Sequence, residues 1–165
     1  MTTFRNNITR FLDIHQIQYS VHTFADKKFS ALEVADILGV NPDFVYKSIV
    51  LKRTGRGKSI LAVVPATGNA DPKKIAVFLD EKKIFVTTMR EAESITGSLA
   101  GGISPLSLVH KSFQILIDHS IEKLDQVFVS GGKRGVQIRL PVHELVKLVN
   151  ANVADISNTT VNSIS

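Results

Sequence analysis

The sequence contains no cysteine, which excludes a disulfide-stapled fold, a thiolate nucleophile and any zinc site built on thiolates. It also lacks an apolar run near the ~18 residues that a membrane-crossing helix needs. Met1-Thr2-Thr3-Phe4-Arg5 carries no signal-peptide pattern, so the expectation is a cytoplasmic protein with no membrane partner. Several catalytic signatures are missing too. His15, His22, His110, His119 and His143 show neither an i, i+4 pairing nor an H-E-x-x-H arrangement, and no metal site or histidine base is expected. Ser98 and Ser104 stand among glycines, but Ala100 and Leu106 occupy the positions where G-x-S-x-G requires glycine. Gly57-Lys58-Ser59 ends like a phosphate loop, yet Lys52 stands where its first glycine belongs, and the segment leads into a strand where a helix is needed. Carboxylates are scattered, without a pair placed for acid–base work.

What is present fits one globular domain. With 165 residues, 44% of them hydrophobic and 21% charged, the chain can bury a single substantial core. A net charge of +5 attracts anionic partners. Lys52, Arg53, Arg56 and Lys58 surround one predicted turn, and Lys73-Lys74, Lys82-Lys83 and Lys133-Arg134 sit at the ends of other elements. Loops give such residues the reach to contact phosphates, though solvated charge clusters look the same.

Phe4, Ile8, Phe11 and Leu12 follow helical spacing, and Ile17 to Phe24 alternates like a strand. Ser30-Ala31-Leu32-Glu33 is a capping box for a helix ending before Gly39, and Pro42 opens a further helical turn. Lys47–Leu51 and Ile60–Val64 form a predicted hairpin about Thr54-Gly55-Arg56-Gly57. Asp71 caps a helix running to about Leu79, and Ile84–Val86 is a short strand. Thr88-Met89-Arg90-Glu91 is another capping box, giving a helix from Met89 to Thr96 that Gly97 stops. Phe113–Ile117, Gln126–Val129 and Val136–Leu140 read as strands, and a last helix begins near Pro141 with Val142, Leu145, Val146 and Val149 on one side. Residues 1–157 form one domain and 158–165 an unpatterned polar tail. This mixture of elements predicts an α+β fold with a mixed, largely antiparallel sheet.

The most informative stretch is Gly97-Ser98-Leu99-Ala100-Gly101-Gly102-Ile103-Ser104-Pro105-Leu106. Its adjacent glycines allow positive φ and close approach of a ligand to backbone amides, and Pro105 fixes the exit. An ordinary tight connection has the same composition. Together with Phe44–Leu51 upstream and Val129–Ile138 downstream, however, this loop resembles the YbaK/EbsC family of aminoacyl-tRNA deacylases, relatives of the editing domain of bacterial prolyl-tRNA synthetases. The resemblance runs from about Phe4 to Ile156. Gly101 to Pro105 reproduces the family's G-x-x-x-P loop, and Lys47 falls on its pocket lysine.

This resemblance implies a barrel-like sheet surrounded by helices, with the pocket between strands and the glycine loop. It implies a catalytic set of Lys47, Gly101 and Gly102, with the N–H groups of Gly101, Gly102 and Ile103 facing the ester carbonyl or the adjoining ribose and phosphate. Ser48, Ser104, Pro105, Ser130 and Gln137 would contact substrate, as would Phe24, where relatives can carry tyrosine. No metal and no cofactor are implied. The partners are the aminoacylated acceptor end of tRNA and a prolyl-tRNA synthetase, with no DNA. The implied activity is hydrolysis of Cys-tRNA(Pro), extending to Cys-tRNA(Cys), in which the substrate's own thiol attacks its ester. An Ala-tRNA(Pro) deacylase and a non-catalytic EbsC-like binding or regulatory module are the alternatives.

Overall fold

The computed structural model describes residues 4–159. Helices begin where the sequence supplies caps. Asn6 opens α1 (Asn7–Ile14), its side chain accepting from the Thr9 N–H while Thr9 Oγ1 accepts from the Asn6 N–H. Periodicity alone places Phe4 in this helix; the cap leaves it outside. β1 (Ser20–Thr23) occupies only the inner part of the alternating stretch. The Ser30–Glu33 capping box starts α2 (Ala31–Leu38), and Asn41 with Pro42 starts a 3-10 turn over Pro42–Phe44. The hairpin β2 (Tyr46–Arg53) and β3 (Ser59–Pro65) follows, and then a short strand the sequence did not suggest, β4 (Gly68–Ala70). Asp71 caps α3 (Pro72–Leu79), β5 is Ile84–Val86, and Thr88 with Glu91 caps α4 (Met89–Thr96), which Gly97 terminates.

Past the glycine loop the chain forms β6 (Phe113–Asp118), β7 (Gln126–Ser130), β8 (Val136–Pro141), α5 (Val142–Leu148), β9 (Asn152–Ala154) and β10 (Ser157–Thr159). The largest sheet has the order β5-β2-β3-β6-β9, with β6 parallel to both β3 and β9. β3 is its centre. Ile60 through Val64 are all fully buried because both faces of the strand are covered. Leu61 and Val63 pack in one cluster with Leu12, Ile117 and Leu145, and Ile60, Ala62 and Val64 pack in a second with Ile75, Leu116 and Ile156.

A second sheet, β1-β8-β7, is antiparallel throughout and meets the first at the Val45–Phe128 bridge. The sheets are thus mixed and largely antiparallel, but they do not close into the barrel that the family resemblance implies. The expected tail also needs correction. Asn158 and Thr159 pair with Asn69 and Gly68 in a β10–β4 ribbon, while residues 160–165 lie outside the described residues. No helix among the described residues is long and apolar enough to cross a membrane.

Candidate active site

The site sits on an exposed edge of β2. β5 pairs only with Leu51 to Arg53, and just beyond, Thr87 donates its N–H and its hydroxyl to the Val50 carbonyl, at 3.0 and 2.9 Å. In an antiparallel ladder, residues two apart turn their N–H and C=O to the same edge. The Ser48 backbone groups therefore point the same way as those of Val50, toward a cavity of about 310 Å³. Its walls are Tyr46 to Val50 of β2, the starts of α2 and α4, Ala100, Gly101 and Ile103 of the glycine loop, and Ser130 and Gln137 of the second sheet.

Of the residues expected to act together, Lys47, Ser48, Gly101, Ile103, Ser130 and Gln137 line this cavity. Lys47 is half-buried, and burial pushes its ammonium pKa below the ordinary lysine value. Its Nζ reaches Asn69 Oδ1 at 3.5 Å, and among the described residues it has no carboxylate partner. Among the described residues neither an acidic side chain nor an imidazole lines the cavity, and Lys47 is the one charged residue that does. Tyr46, which the sequence reading passed over, also lines the cavity, while its hydroxyl, which burial pushes up to about 12, shares a 2.6 Å hydrogen bond with Ser120 Oγ on the side of a separate cleft.

Gln137 lies directly across from Ser130 in the β8–β7 register. It is only 7% exposed, and its Oε1 has no hydrogen-bond partner among the described residues. An orphaned buried acceptor costs about 1–3 kcal/mol, a cost that a ligand donor removes. Ser130 Oγ is already committed: it donates to the Gly101 carbonyl and accepts from the Gly132 N–H, both at 3.2 Å.

The loop itself is less open than its glycines suggest. Gly101 has φ of +92°, a conformation that strains other residues. Gly102 is needed for closeness, since a Cβ there would come within 3.2 Å of the Lys133 backbone. The Gly102 N–H donates to the Leu99 carbonyl at 2.8 Å, so it is not a donor for substrate. By contrast, the N–H groups of Gly101 and Ile103 have no hydrogen-bond partner among the described residues.

Three other expected contacts are not among the residues that line the cavity. Ser104 is fully buried and caps a 3-10 turn over Pro105–Ser107, its Oγ accepting from the Leu106 N–H at 3.2 Å. Pro105 is buried at the first position of that turn. Phe24 packs on Phe29, with ring centroids 5.9 Å apart, beside the cluster of Val34, Ala35 and Phe128. Its lack of a hydroxyl is therefore a packing matter. The sequence reading also missed Phe29, Thr88 and Met89, which form cavity wall, because nothing in a capping box signals that a helix start borders a cavity.

Comparison with known proteins gives the family and the fold. The family model described as "Aminoacyl-tRNA editing domain" matches residues 25–148. A relative from Enterococcus faecalis, named "Putative Cys-tRNA(Pro)/Cys-tRNA(Cys) deacylase EbsC", is 30% identical over 155 residues, covering 93% of each chain. Among solved structures, the hypothetical protein APE2540 superposes with a TM-score of 0.84 at 18% identity, covering 93% of this chain and all of its own. A protein described as "a putative trans-editing enzyme for prolyl tRNA synthetase" gives 0.76 at 21% identity, covering 94% of this chain and 99% of its own. These two likenesses establish the shared fold. The family match across most of the chain, joined to the close-length relative, shows that the chain belongs to the aminoacyl-tRNA editing domain family.

Proposed function

We propose that this aminoacyl-tRNA editing protein removes cysteine from mischarged tRNA(Pro), with Cys-tRNA(Cys) as a second substrate. One observation carries the reading: among the described residues the cavity presents a cation and two unpaired backbone donors, but neither carboxylate nor imidazole to act as general base. Such a site suits a substrate that brings its own nucleophile. The cysteinyl sulfur attacks the ester carbonyl carbon, the bond from that carbon to the ribose oxygen breaks, and the thiol proton passes to the leaving oxygen. The free tRNA and a thiolactone result, and water opens the thiolactone to cysteine. Holding a nucleophile in place can lower the barrier by about 7–11 kcal/mol.

In this reading Lys47 holds a phosphate or sugar oxygen of the tRNA 3′ end, and the Gly101 N–H, with that of Ile103, receives the negative charge that develops on the carbonyl oxygen. The aminoacyl group supplies the hydrogen bond that Gln137 lacks, and the exposed edge of Ser48 offers a further acceptor. The 3′ end enters past Val86 and Met89, both exposed, beside a second cleft lined by Phe85, Lys82 and Lys83. Lys83 Nζ lies 5.7 Å from the Phe85 ring centroid. Aromatic faces with flanking cations suit single-stranded nucleic acid.

The test is release of labelled amino acid from cysteinyl-, alanyl- and prolyl-tRNA(Pro) by the wild-type protein at low salt. Rapid loss of cysteine with proline spared is expected. Comparable loss of alanine would remove the thiol from the mechanism. Absence of turnover on every substrate would leave a binding or regulatory module.

A further inference from the structure

We infer that Arg134 and Glu93 are positioning residues that aim the Gly101 N–H into the cavity by gripping the residue before it. Neither is among the side chains that line the cavity, and the inference rests on the deacylase reading above only for what the aimed donor does.

Both backbone groups of Ala100 are held. Its N–H donates to Glu93 Oε2 at 2.7 Å, and its carbonyl accepts from Arg134 Nε at 2.6 Å. The two side chains approach each other at 4.0 Å and are 25% and 29% exposed. A planar trans peptide points its C=O and the following N–H in opposite directions, and no peptide bond in the described chain is cis. The guanidinium that fixes the Ala100 carbonyl therefore also fixes the Gly101 N–H, on the side away from Arg134.

The next peptide is pinned as well. Ser130 Oγ donates to the Gly101 carbonyl at 3.2 Å, and the N–H at the other end of that peptide, on Gly102, is closed by Leu99 at 2.8 Å. Two successive peptide planes are thus set from outside the loop, and the N–H left without a partner between them is that of Gly101. The stem of Arg134 also covers Gly101, where an added Cβ would lie 3.2 Å from Arg134 Cγ. An ordinary connection needs its polar groups satisfied, which water can do. A charged pair, one member of it 34 residues along the chain from Ala100, instead holds both groups of one residue in a single orientation.

The experiment compares full-length wild type with Arg134→Gln, Arg134→Lys and Glu93→Gln, and with Lys147→Gln as a charge control on an exposed face of α5. Three quantities are read: kcat and KM for release of cysteine from Cys-tRNA(Pro), amide hydrogen exchange over residues 97–104, and the thermal midpoint. Arg134→Gln should lower kcat by about 10- to 100-fold, the scale of a small misplacement of a reacting group. KM should stay within about twofold, exchange of the loop should rise at least about tenfold, and the midpoint should move little. Arg134→Lys, which can still donate one hydrogen bond to Ala100, should recover part of both losses. Glu93→Gln keeps an acceptor for the Ala100 N–H and should lie between, which preserves the test if Arg134→Gln folds poorly. Wild-type kcat in both Arg134→Gln and Glu93→Gln, or loop exchange unchanged from wild type, overturns the clamp while leaving the deacylase reading intact. A wild type without turnover would overturn that reading, and faster loop exchange in Arg134→Gln would still support the clamp.

Discussion

Replacing Gly101 by alanine separates the loop's conformation from its composition. A residue other than glycine at φ of +92° carries a strain of about 1–3 kcal/mol. The new methyl would also stand 3.2 Å from Arg134 Cγ, tighter than an ordinary contact. Arg134 must then shift and weaken its 2.6 Å bond to the Ala100 carbonyl, a charge-assisted bond worth about 1.5–3 kcal/mol. Relief comes most easily by turning the Ala100–Gly101 peptide, whose carbonyl is the group that Arg134 holds. Global stability should fall by only about 1–2 kcal/mol, read as a loss of about 2–8 °C in thermal midpoint for a chain of this size. Activity should suffer more, since misdirecting one oxyanion donor costs about 10²–10³ in kcat. Single-turnover deacylation at saturating enzyme isolates that step, and the apparent affinity should change little because Lys47 and the apolar walls remain. A Gly101→Ala protein with wild-type single-turnover rate would refute the assignment of this N–H as the donor.

Lys47→Met should abolish deacylation yet raise stability by about 0.5–1 kcal/mol, because removing a half-buried ammonium relieves a desolvation cost; matched activity and thermal-denaturation measurements check both signs. Asp118 is buried and accepts from the Ser120 and Ile156 N–H groups at 3.1 Å each. Burial acts to raise its pKa, but these hydrogen bonds prevail and hold the carboxyl below its usual 3.8. A depressed carboxyl contributes stability that is whole above the unfolded value and is lost as pH falls through the folded one. Urea midpoints followed below about pH 4 should therefore decline less steeply for Asp118→Asn than for wild type. Reversing Lys82 and Lys83 to glutamate should raise KM for charged tRNA and flatten its salt dependence, by about 0.7 in log–log slope for each single-stranded phosphate contact removed; an unchanged slope would place the tRNA track elsewhere.

Much of the fold is local enough to be read from sequence. Ser30 with Glu33 and Thr88 with Glu91 announce helices because a capping box satisfies both partners within four residues. Ile60–Val64 announces a strand because a short apolar run directly after the Thr54–Gly57 turn suits one, although its central place in the sheet, with both faces covered, comes only from the fold. Gly68–Ala70 and Ser157–Thr159 are invisible for the opposite reason. Each is short and polar, and each is a strand only because the other is beside it. The parallel pairing of β3 with β6 likewise depends on contacts between segments far apart in the chain.

The site divides along the same line. Lys47, Gly101 and Gln137 could be singled out from the family resemblance, and all three line one cavity. Ser104 caps the turn over Pro105–Ser107 and is not among the cavity-lining residues, a role legible in the sequence because Ser-Pro is itself a helical start signal, with serine as cap and proline at the first position. That Leu99 consumes the Gly102 N–H, or that Arg134 grips Ala100, has no counterpart in residue spacing. Arg134 looks from sequence like any basic residue finishing a glycine turn.

The central claim is that the pocket orients a substrate which supplies its own nucleophile. Its most direct test compares cysteinyl-tRNA(Pro) with S-methylcysteinyl-tRNA(Pro) in single-turnover assays of the wild-type protein. Rapid release of cysteine is expected, with release of S-methylcysteine no faster than spontaneous ester hydrolysis. Equal rates for the two substrates would contradict the claim.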